Sequence, residues 1–417
     1  MKLSRFPIRL THTEIIFNMI FDYGGLVDLE LIRSKHICVL GCGAVGCNVV
    51  LAALQTGWGR FTLVDRDSVE PHNCPRSGGL FNPKRDVGKN KALLLAEYIA
   101  GWDCPGSGTH NEATALDIDV RDLGAGFFEK FDYIICALDN MESVWHAGEL
   151  TADSGIPIYR AATNAWNSSV EIIENAPGEA CLCCGKDPSA ARDLRRASCG
   201  ERYMSDVKAG KTPALQVSSA LCANRLVAEM TRRANQPAEN RPNIRYYDDG
   251  RALMSFDQPL NVNCGCHRTP VITGELPGDV FSATLADLLR MLEERAGEGA
   301  TVFATDDFVA EGICGFCGGK YRIGKPTRRV KESEMRCPDC TRLPLPYIDP
   351  DIAVTRSVFS KGDCGFELGL PLFDIGFRAC GEILVSDAGG AYSTWRFAGD
   401  YTALIGGKGR VFANGLR

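Results

Sequence analysis

The chain has 417 residues, of which 45% are hydrophobic and 24% charged, and its net charge is −6. This length allows two or three domains, and the composition is ordinary for a soluble globular protein with a sizeable core. The acidic balance gives no general attraction to nucleic acid or anionic membranes, no apolar run is long enough to cross a bilayer, and the first ten residues lack the pattern of a secretory signal.

Strands and helices are predicted to alternate over the first 160 residues. After a helical lead-in over 1–34, strands are predicted at 36–40, 61–64, 132–137 and 156–159, with helices at 48–55 and 91–100. Alternation of this kind is typical of an α/β fold with a mostly parallel sheet covered on both faces. We therefore expect a Rossmann-like domain.

The later segments have other patterns. Residues 186–212 are polar and predict a mobile surface loop, followed by a helix over 214–233 and a hairpin that turns at Asp249-Gly250. An amphipathic helix over 283–296 precedes two cysteine pairs, and 350–417 is expected to be β-rich. The expected domains are 1–270, 271–345 with a zinc ribbon, and 346–417.

A glycine-rich turn joins the first strand to the first helix. Gly41, Gly43 and Gly46 form the pattern G-x-G-x-x-G, and Asp65 follows the next strand. Such glycines let a phosphate approach the backbone at a helix N-terminus, and an acidic group after the second strand accepts hydrogen bonds from ribose. By itself the turn equally fits an NAD site or a structural turn without ligand.

Further residues extend this turn into a series. The series runs Asp65-x-Asp67, Asn73-x-x-Arg76, Gly88-x-x-Lys91 and Asp139-Asn140. It resembles the adenylation domain of the family that contains ubiquitin-activating E1 enzymes and the sulfur-carrier adenylyltransferases of thiamin and molybdopterin synthesis. The resemblance covers roughly residues 35–270.

The resemblance implies an ATP site and assigns a role to each residue. Asp65 would bind the ribose, with Asp67 beside it, and Asp139 would bind Mg²⁺. Asn73, Arg76 and Lys91 would contact the phosphates and offset their charge. Family members also carry an N-terminal arginine that reaches a partner's ATP; here both Arg5 and Arg9 are available.

The nineteen cysteines favour a reducing cytoplasm and metal binding over a secreted disulfide scaffold. Two C-x₂-C pairs, separated by 19 residues, have the spacing of a tetrahedral zinc site: Cys314, Cys317, Cys337 and Cys340. By resemblance to the family, a second structural zinc is expected on Cys181, Cys184, Cys264 and Cys266. The last of these pairs is one residue shorter than usual, so Cys183 or His267 is an alternative ligand.

Cys199 lies in the polar loop, in the sequence Arg-Arg-Ala-Ser-Cys-Gly. Neighbouring arginines favour the thiolate, and related enzymes place a reactive cysteine at this point, so Cys199 is a candidate acyl acceptor. An exposed structural cysteine is the alternative. Cys222 is expected in a helix core.

Basic residues cluster around the last two cysteine pairs: Lys320, Arg322, Lys325, Arg328, Arg329, Lys331 and Arg336. A ribbon with such a loop can bind nucleic acid. Because the whole chain is acidic, we favour docking of a protein partner or no binding role.

The function implied by the resemblance is Mg-ATP-dependent adenylation of the C-terminus of a ubiquitin-like protein. Thioester formation on Cys199 and transfer to an E2-like carrier would follow, in an enzyme expected to be a homodimer. The region after 270 resembles appended regions of bacterial E1-like proteins, some from antiphage operons. Alternatives are a sulfur-carrier adenylyltransferase, a non-catalytic E1-like subunit and a dinucleotide oxidoreductase.

Overall fold

The computed structural model describes residues 25–102, 111–164, 166–186, 214–236, 241–267, 271–330, 332–335, 337–340 and 354–413. Within this part of the chain, two sheets are formed, one of nine strands and one of six. The lead-in expected over 1–34 is described only from residue 25, and the polar loop over 186–212 lies almost wholly outside the described residues.

The nine-stranded sheet has a parallel centre with antiparallel strands on both sides. Its order is β15-β3-β2-β1-β4-β5-β6-β7-β8. The five neighbouring strands β3, β2, β1, β4 and β5 run parallel to one another. The strands, numbered along the chain, are β1 His36–Leu40, β2 Arg60–Val64, β3 Glu112–Leu116, β4 Tyr133–Cys136, β5 Ile158–Asn164, β6 Asn167–Ile173, β7 Ile244–Asp248, β8 Leu253–Asp257 and β15 Gly409–Ala413. The expectation of a mixed α/β fold with a mostly parallel sheet is confirmed.

Helices cover both faces of this sheet. They are α1 Leu29–Ser34, α2 Ala44–Thr56, α3 Lys91–Gly101, α4 Ala125–Phe128, α5 Met141–Thr151 and α6 Gln216–Asn235. One apolar core contains side chains of α2, α3 and α6 with one face of the strands. The long helix α6 packs against α2, so the two helices are held together above the sheet.

The six-stranded sheet has the order β11-β10-β13-β14-β9, with β12 also paired to β10. Its strands are β9 Gly274–Leu276, β10 Thr301–Ile313, β11 Lys320–Pro326, β12 Val354–Phe359, β13 Ile383–Ser386 and β14 Tyr392–Phe397. Three helices accompany them: α7 Leu285–Ala296, α8 Leu372–Ile375 and α9 Asp400–Lys408.

The two sheets share a hydrophobic core. The core on the second face of the large sheet includes Phe127 and Ile134, and it continues without a break to Leu288, Val302 and Phe308 of the later region. The small sheet takes strands from both sides of the boundary expected at residues 345 and 346, and β15 returns to the large sheet. Strand pairing between distant segments therefore crosses the expected domain limits. In the described part of the chain, the helices are too short or too polar to span a membrane.

Candidate nucleotide site and cysteine clusters

The parallel strands end together at one edge of the large sheet. Leu40 is paired with Val64 on one side and with Cys136 on the other, so the turns after β1, β2 and β4 lie next to one another. The carboxyl ends of parallel strands are where ligands bind in open α/β sheets. This edge gathers most of the residues singled out in the sequence.

The glycine turn is tightly folded against β4. Gly41 has φ +91°, and a Cβ there would lie 2.7 Å from the carbonyl oxygen of Ala137. A Cβ at Gly46 would lie 2.0 Å from the carbonyl oxygen of Gly41. Both positions therefore require glycine, because the obstructing atoms belong to the backbone.

Gly43 differs from the other two glycines because the space beside it is open. It is the N-cap of α2 and no side chain caps the helix there. Among the described residues, no heavy atom comes within 4 Å of the position of a Cβ at Gly43. The first turn of α2 thus presents backbone N–H groups and the positive end of the helix dipole to an open space, as an anion site requires.

Asp65 is fixed beside this turn by backbone hydrogen bonds. One carboxylate oxygen accepts the N–H of Cys42 over 2.7 Å, and the other accepts the N–H of Asp67 over 2.8 Å. Burial raises the pKa of the Asp65 carboxyl, although the positive charge of Lys91 and the two N–H donors act to lower it. Each oxygen keeps a further lone pair, so the carboxylate can still accept hydrogen bonds from ribose.

Lys91 lies at the start of α3 and is joined to the loop after β2. Its Nζ lies 3.3 Å from a carboxylate oxygen of Asp67, and its N–H donates to the Asp67 carbonyl over 2.9 Å. The neighbouring Asn90 caps α3 and donates to the carbonyl of Asp65 over 2.8 Å. Asn90, which sequence reasoning missed, therefore helps to hold Asp65, Asp67 and Lys91 in one group.

Asn73 and Arg76 lie on a 3₁₀ helix, Pro71–Arg76. The side-chain oxygen of Asn73 accepts the N–H of Glu70 over 2.8 Å. The Nε of Arg76 is buried and finds no hydrogen-bond partner among the described residues. The Nε atoms of Arg160 and Arg245 are also buried without a partner there, so this feature does not distinguish Arg76. The backbone of Arg76 is joined to the helix after the glycine turn, because its carbonyl accepts Nδ2 of Asn48 over 3.3 Å.

Asp139 follows β4 at the same edge, two residues after Ala137. Its side chain is exposed, and its carboxylate makes no hydrogen bond or ion pair with the described residues. The next residue, Asn140, caps α5. An exposed carboxylate at a strand end beside the glycine turn suits Mg²⁺, which prefers oxygen ligands and retains several waters.

An ionic network that the sequence did not reveal spans this edge. Asp119 pairs with Arg66 over 2.5 Å and with Arg121 over 2.7 Å, and Arg121 reaches Glu142 of α5 over 3.0 Å. Burial alone would raise the pKa of Asp119, but Arg121 and Arg66 hold that pKa at about 2. The network links the loop after β2 to the helix that follows Asp139.

The four cysteines of the expected ribbon come together at the tip of the β10–β11 hairpin. The Sγ atoms of Cys314 and Cys340 are 4.0 Å apart, and those of Cys317 and Cys337 are 3.8 Å apart. The N–H of Gly319 donates to the Cys317 sulfur over 3.3 Å. These four groups all lie within 4.8 Å of one another, as a single metal ion would require.

The second cysteine group differs from the expected ligand set. Cys181, Cys184 and Cys264 come together with His267, whereas Cys266 lies with Cys181 and Cys183. The Sγ of Cys184 is 3.1 Å from Nε2 of His267. The chain turns at Gly265, so His267, one of the two alternatives expected from the sequence, takes the fourth place in the first group, and Cys266 lies in the second.

The remaining predicted residues have mixed outcomes. Cys199, Arg5 and Arg9 lie outside the described residues. Cys222 is buried in α6 as expected, and burial raises the pKa of its thiol to about 12.

The basic residues near the ribbon are largely used inside the chain. Arg328 and Arg329 both bind the buried Asp122, and Arg322 stacks on Phe366. Lys325 pairs with Glu334. Lys320 is exposed, and Lys331 and Arg336 lie outside the described residues. Most of these basic side chains therefore make contacts within the protein, which leaves few of them for the expected docking surface.

Comparison with known proteins identifies a family. Residues 17–274 match the ThiF family, which is more than half of the chain. The protein belongs to the ThiF family. The E1-like resemblance drawn from the motif series is confirmed at that level, and the family supports ATP binding.

The curated relatives cover only part of this ThiF protein. The SUMO-activating enzyme subunit 2 of Dictyostelium discoideum is 25% identical over 159 residues, or 38% of this chain and 23% of that protein. The NEDD8-activating enzyme E1 catalytic subunit of Caenorhabditis elegans is 28% identical over 32% of this chain and 29% of its own length. The adenylyltransferase and sulfurtransferase uba4 of Emericella nidulans is 24% identical over 49% of this chain and 42% of its own length. This chain therefore spans less than half the length of each.

Among solved structures, E. coli MccB with ATP superposes with a TM-score of 0.47 at 16% identity, over 63% of this chain and 75% of that chain.

Proposed function

We propose that this ThiF protein uses Mg-ATP to adenylate the C-terminal carboxylate of a ubiquitin-like protein. The observation that carries the proposal is the joint arrangement of the open α2 N-terminus, Asp65 and Lys91. Family membership and the names of the SUMO- and NEDD8-activating relatives support a ubiquitin-like substrate.

The proposed roles follow the geometry. Backbone N–H groups of the turn Gly41–Gly46 and the side chains of Asn73, Arg76 and Lys91 bind the phosphates. Asp65 accepts hydrogen bonds from the ribose, and Asp67 orients the Lys91 ammonium through their 3.3 Å contact. Asp139 would hold Mg²⁺, which supplies positive charge to the phosphate oxygens.

The reaction forms one bond and breaks one. An oxygen of the substrate carboxylate attacks the α-phosphorus of ATP, and pyrophosphate leaves with the electrons of the broken P–O bond. Arg76 and Lys91 stabilise the negative charge that grows on the phosphate oxygens, and they hold two anions in reacting distance. The products are an acyl-adenylate and pyrophosphate.

We further propose that Cys199 takes the acyl group as a thioester, with release of AMP, and passes it to an E2-like partner. Cys199 lies outside the described residues, so this step rests on its sequence neighbours and the resemblance. A sulfur-carrier adenylyltransferase is the second candidate, favoured by the match to the adenylyltransferase and sulfurtransferase uba4. A homodimer, a cytoplasmic location and two structural zinc ions belong to the same proposal.

The test is ATP–pyrophosphate exchange together with a non-reducing gel. The full chain is mixed with Mg-ATP and the ubiquitin-like protein encoded nearest to its gene, and wild type is compared with Cys199→Ala. Exchange in both, with a thiol-sensitive adduct only in wild type, is the expected result. Exchange without an adduct would favour the sulfur-carrier function. Absence of both ATP binding and exchange would overturn the adenylation proposal.

A further inference from the structure

We propose that a bridging segment, residues 119–124, is held in place by Arg328 and Arg329 of the later region and fixes the spacing between the loop after β2 and the helix after β4. These two elements adjoin Asp65 and Asp139, to which the proposed function gives the ribose and Mg²⁺. The inference rests on that proposed function and adds that the later region helps to position Mg-ATP.

The bridging segment begins between the two elements that it joins. The carboxylate of Asp119 accepts hydrogen bonds from Arg66 over 2.5 Å and from Arg121 over 2.7 Å. Arg66 lies in the loop after β2, directly after Asp65. Arg121 also donates to Glu142, in the first turn of α5, over 3.0 Å. Because β1 and its glycine turn lie between β2 and β4, this one carboxylate connects the two sides of the turn.

The contact between Asp119 and Arg121 restricts orientation as well as distance. Arg121 donates through Nε over 3.1 Å and through a terminal nitrogen over 2.7 Å, so the contact has two points. Both side chains are largely shielded from water, with 10% and 11% of their surface exposed. Paired bonds of this kind are geometrically specific, and burial protects them from the screening that weakens surface ion pairs.

The later region holds the other side of the bridging segment. Asp122 is buried, and one of its carboxylate oxygens accepts hydrogen bonds from Arg328 and from Arg329, each over 2.8 Å. The backbone is held as well, because the Asp122 carbonyl accepts the N–H of Ala379 over 2.9 Å and the Ala379 carbonyl accepts the N–H of Gly124 over 2.8 Å. The position of the segment therefore depends on arginines that lie 206 and 207 residues further along the chain.

Close packing leaves the bridging segment little freedom to move. A Cβ at Gly124 would lie 2.2 Å from the Cα of Gly381 in the later region. On the side of α5, Nε2 of the buried His146 donates to the carbonyl of Leu123 over 3.0 Å. Closely packed interiors transmit displacements, so a shift of the later region should reach α5 and the strand end that precedes it.

An alternative explanation is that this network only stabilises the fold. The two explanations differ in what calorimetric titration with Mg-ATP would measure. A protein that is only less stable contains fewer folded molecules, so the number of binding sites falls while the Kd of those sites is unchanged. A protein with displaced loops keeps its sites but binds Mg-ATP with a higher Kd.

The experiment uses the full chain and two variants at opposite ends of the network. Asp122→Asn weakens the hold of the later region, and Glu142→Gln removes the charge at α5, where the side chain is partly exposed. In each variant, the Kd for Mg-ATP should rise by roughly 10–100-fold with the number of sites unchanged. The kcat/KM for Mg-ATP in pyrophosphate exchange should fall to match.

Two control variants separate these effects from general damage to the later region. Glu129→Gln removes a different ion pair with that region, to Arg396 of β14, and lies outside the bridging segment. Val302→Ala shortens a buried side chain of β10 and should lower stability without changing the network. Both controls should bind Mg-ATP with the wild-type Kd. An unchanged Kd in Asp122→Asn, or an equal rise in Val302→Ala, would overturn the inference.

A double variant tests whether the two ends act through the same segment. If they do, Asp122→Asn combined with Glu142→Gln should raise the Kd by less than the product of the two single effects. A rise equal to that product would show independent effects and would contradict a shared segment.

Wild type shows which proposal has failed. If it binds Mg-ATP and catalyses exchange while Asp122→Asn behaves as Glu129→Gln does, the positioning role is wrong and adenylation stands. If wild type neither binds Mg-ATP nor catalyses exchange, adenylation and the positioning role are both wrong.

Discussion

Gln216 and Asn48 pair through both atoms of their side-chain amides. Nε2 of Gln216 donates to Oδ1 of Asn48 over 2.8 Å, and Nδ2 of Asn48 donates to Oε1 of Gln216 over 3.2 Å. Gln216 begins α6, and Asn48 lies in α2 and also donates to the carbonyl of Arg76 over 3.3 Å. The pair therefore connects the helix after the polar loop with the segment proposed to bind phosphate.

Removing one amide of this pair should destabilise the protein. Asn48→Ala leaves Nε2 of Gln216 without its partner, and Gln216→Ala leaves Oδ1 of Asn48 without its partner. Each loss should cost about 1–3 kcal/mol in the free energy of unfolding. The double variant should lose less than the sum of the two, because the pair is lost only once. Urea unfolding followed by fluorescence would measure this. The control is Asn224→Ala, an exposed change on the same helix; full additivity would argue against the pairing.

Two glycines of the same turn should respond differently to alanine. In Gly46→Ala, the new methyl would lie 2.0 Å from a backbone oxygen, so α2 must move and stability should fall by at least about 1–3 kcal/mol. In Gly43→Ala, the methyl enters open space, so the melting temperature should change little while ATP binding weakens. Calorimetric titration with ATP and thermal unfolding would separate the effects. Normal ATP affinity in Gly43→Ala would mean that no phosphate lies there.

Neighbouring lysines provide a test of the phosphate site. Lys91 is nearly buried and faces Asp67, whereas Lys89 is half exposed and lies 3.7 Å from Asp86. Lys91→Ala should lower the rate of ATP–pyrophosphate exchange by roughly 10²–10³-fold, because a fixed cation near the phosphates is lost. Lys89→Ala should keep most of the activity. Equal losses in both variants would contradict the assignment of Lys91.

The stability of the later region should depend on pH through Asp400. This buried carboxylate accepts N–H groups of Val280 and Cys380, each over 2.8 Å, and burial raises its pKa from 3.8 to about 7. A raised pKa in the folded state stabilises the fold below about pH 4, and that contribution is lost as the pH rises through 7. Between pH 4 and 8, the loss is at most about 4 kcal/mol, from about 1.4 kcal/mol per pKa unit.

The control for this prediction is Asp400→Asn, which does not titrate. The unfolding free energy of wild type should fall relative to that of this variant as the pH rises from 5 to 8, because only wild type ionises at residue 400. Chemical denaturation at several pH values would measure it. A difference that is constant over this range would show that the Asp400 pKa is not raised.

The sequence predicts the centre of the large sheet well because the relevant signals are local. The run His36–Leu40, the glycine turn and the following helix are continuous in the chain, and the hairpin at Asp249-Gly250 has a recognisable turn. In contrast, β3 has the sequence Glu-Ala-Thr-Ala-Leu, whose small residues give little pattern. Its strand conformation depends on pairing with β2 and with the distant β15.

The candidate site shows the same division. The residues of the motif series could be predicted from the glycine pattern and from the resemblance to a known family, and the structure places Asp65, Asp67 and Lys91 in direct contact. The supporting contacts could not be found in this way. Asn48 and Gln216 are 168 residues apart in the chain. The sequence leaves Cys183 and His267 as alternative ligands, whereas in the structure the His267 ring lies beside Cys184.

The return of β15 to the large sheet has a consequence for how this protein can be shortened. Residues 274–397 supply the small sheet, yet the chain afterwards pairs with β3 at the edge of the first sheet. In topological terms, the small sheet is an insertion between two strands of the large one. A truncation that removes everything after residue 270 would also remove β15, the partner of β3 on its outer side. The edge of β3 would then be open and prone to aggregation. Excision of the small sheet would therefore require a linker that rejoins the two ends, not a simple shortening of the chain.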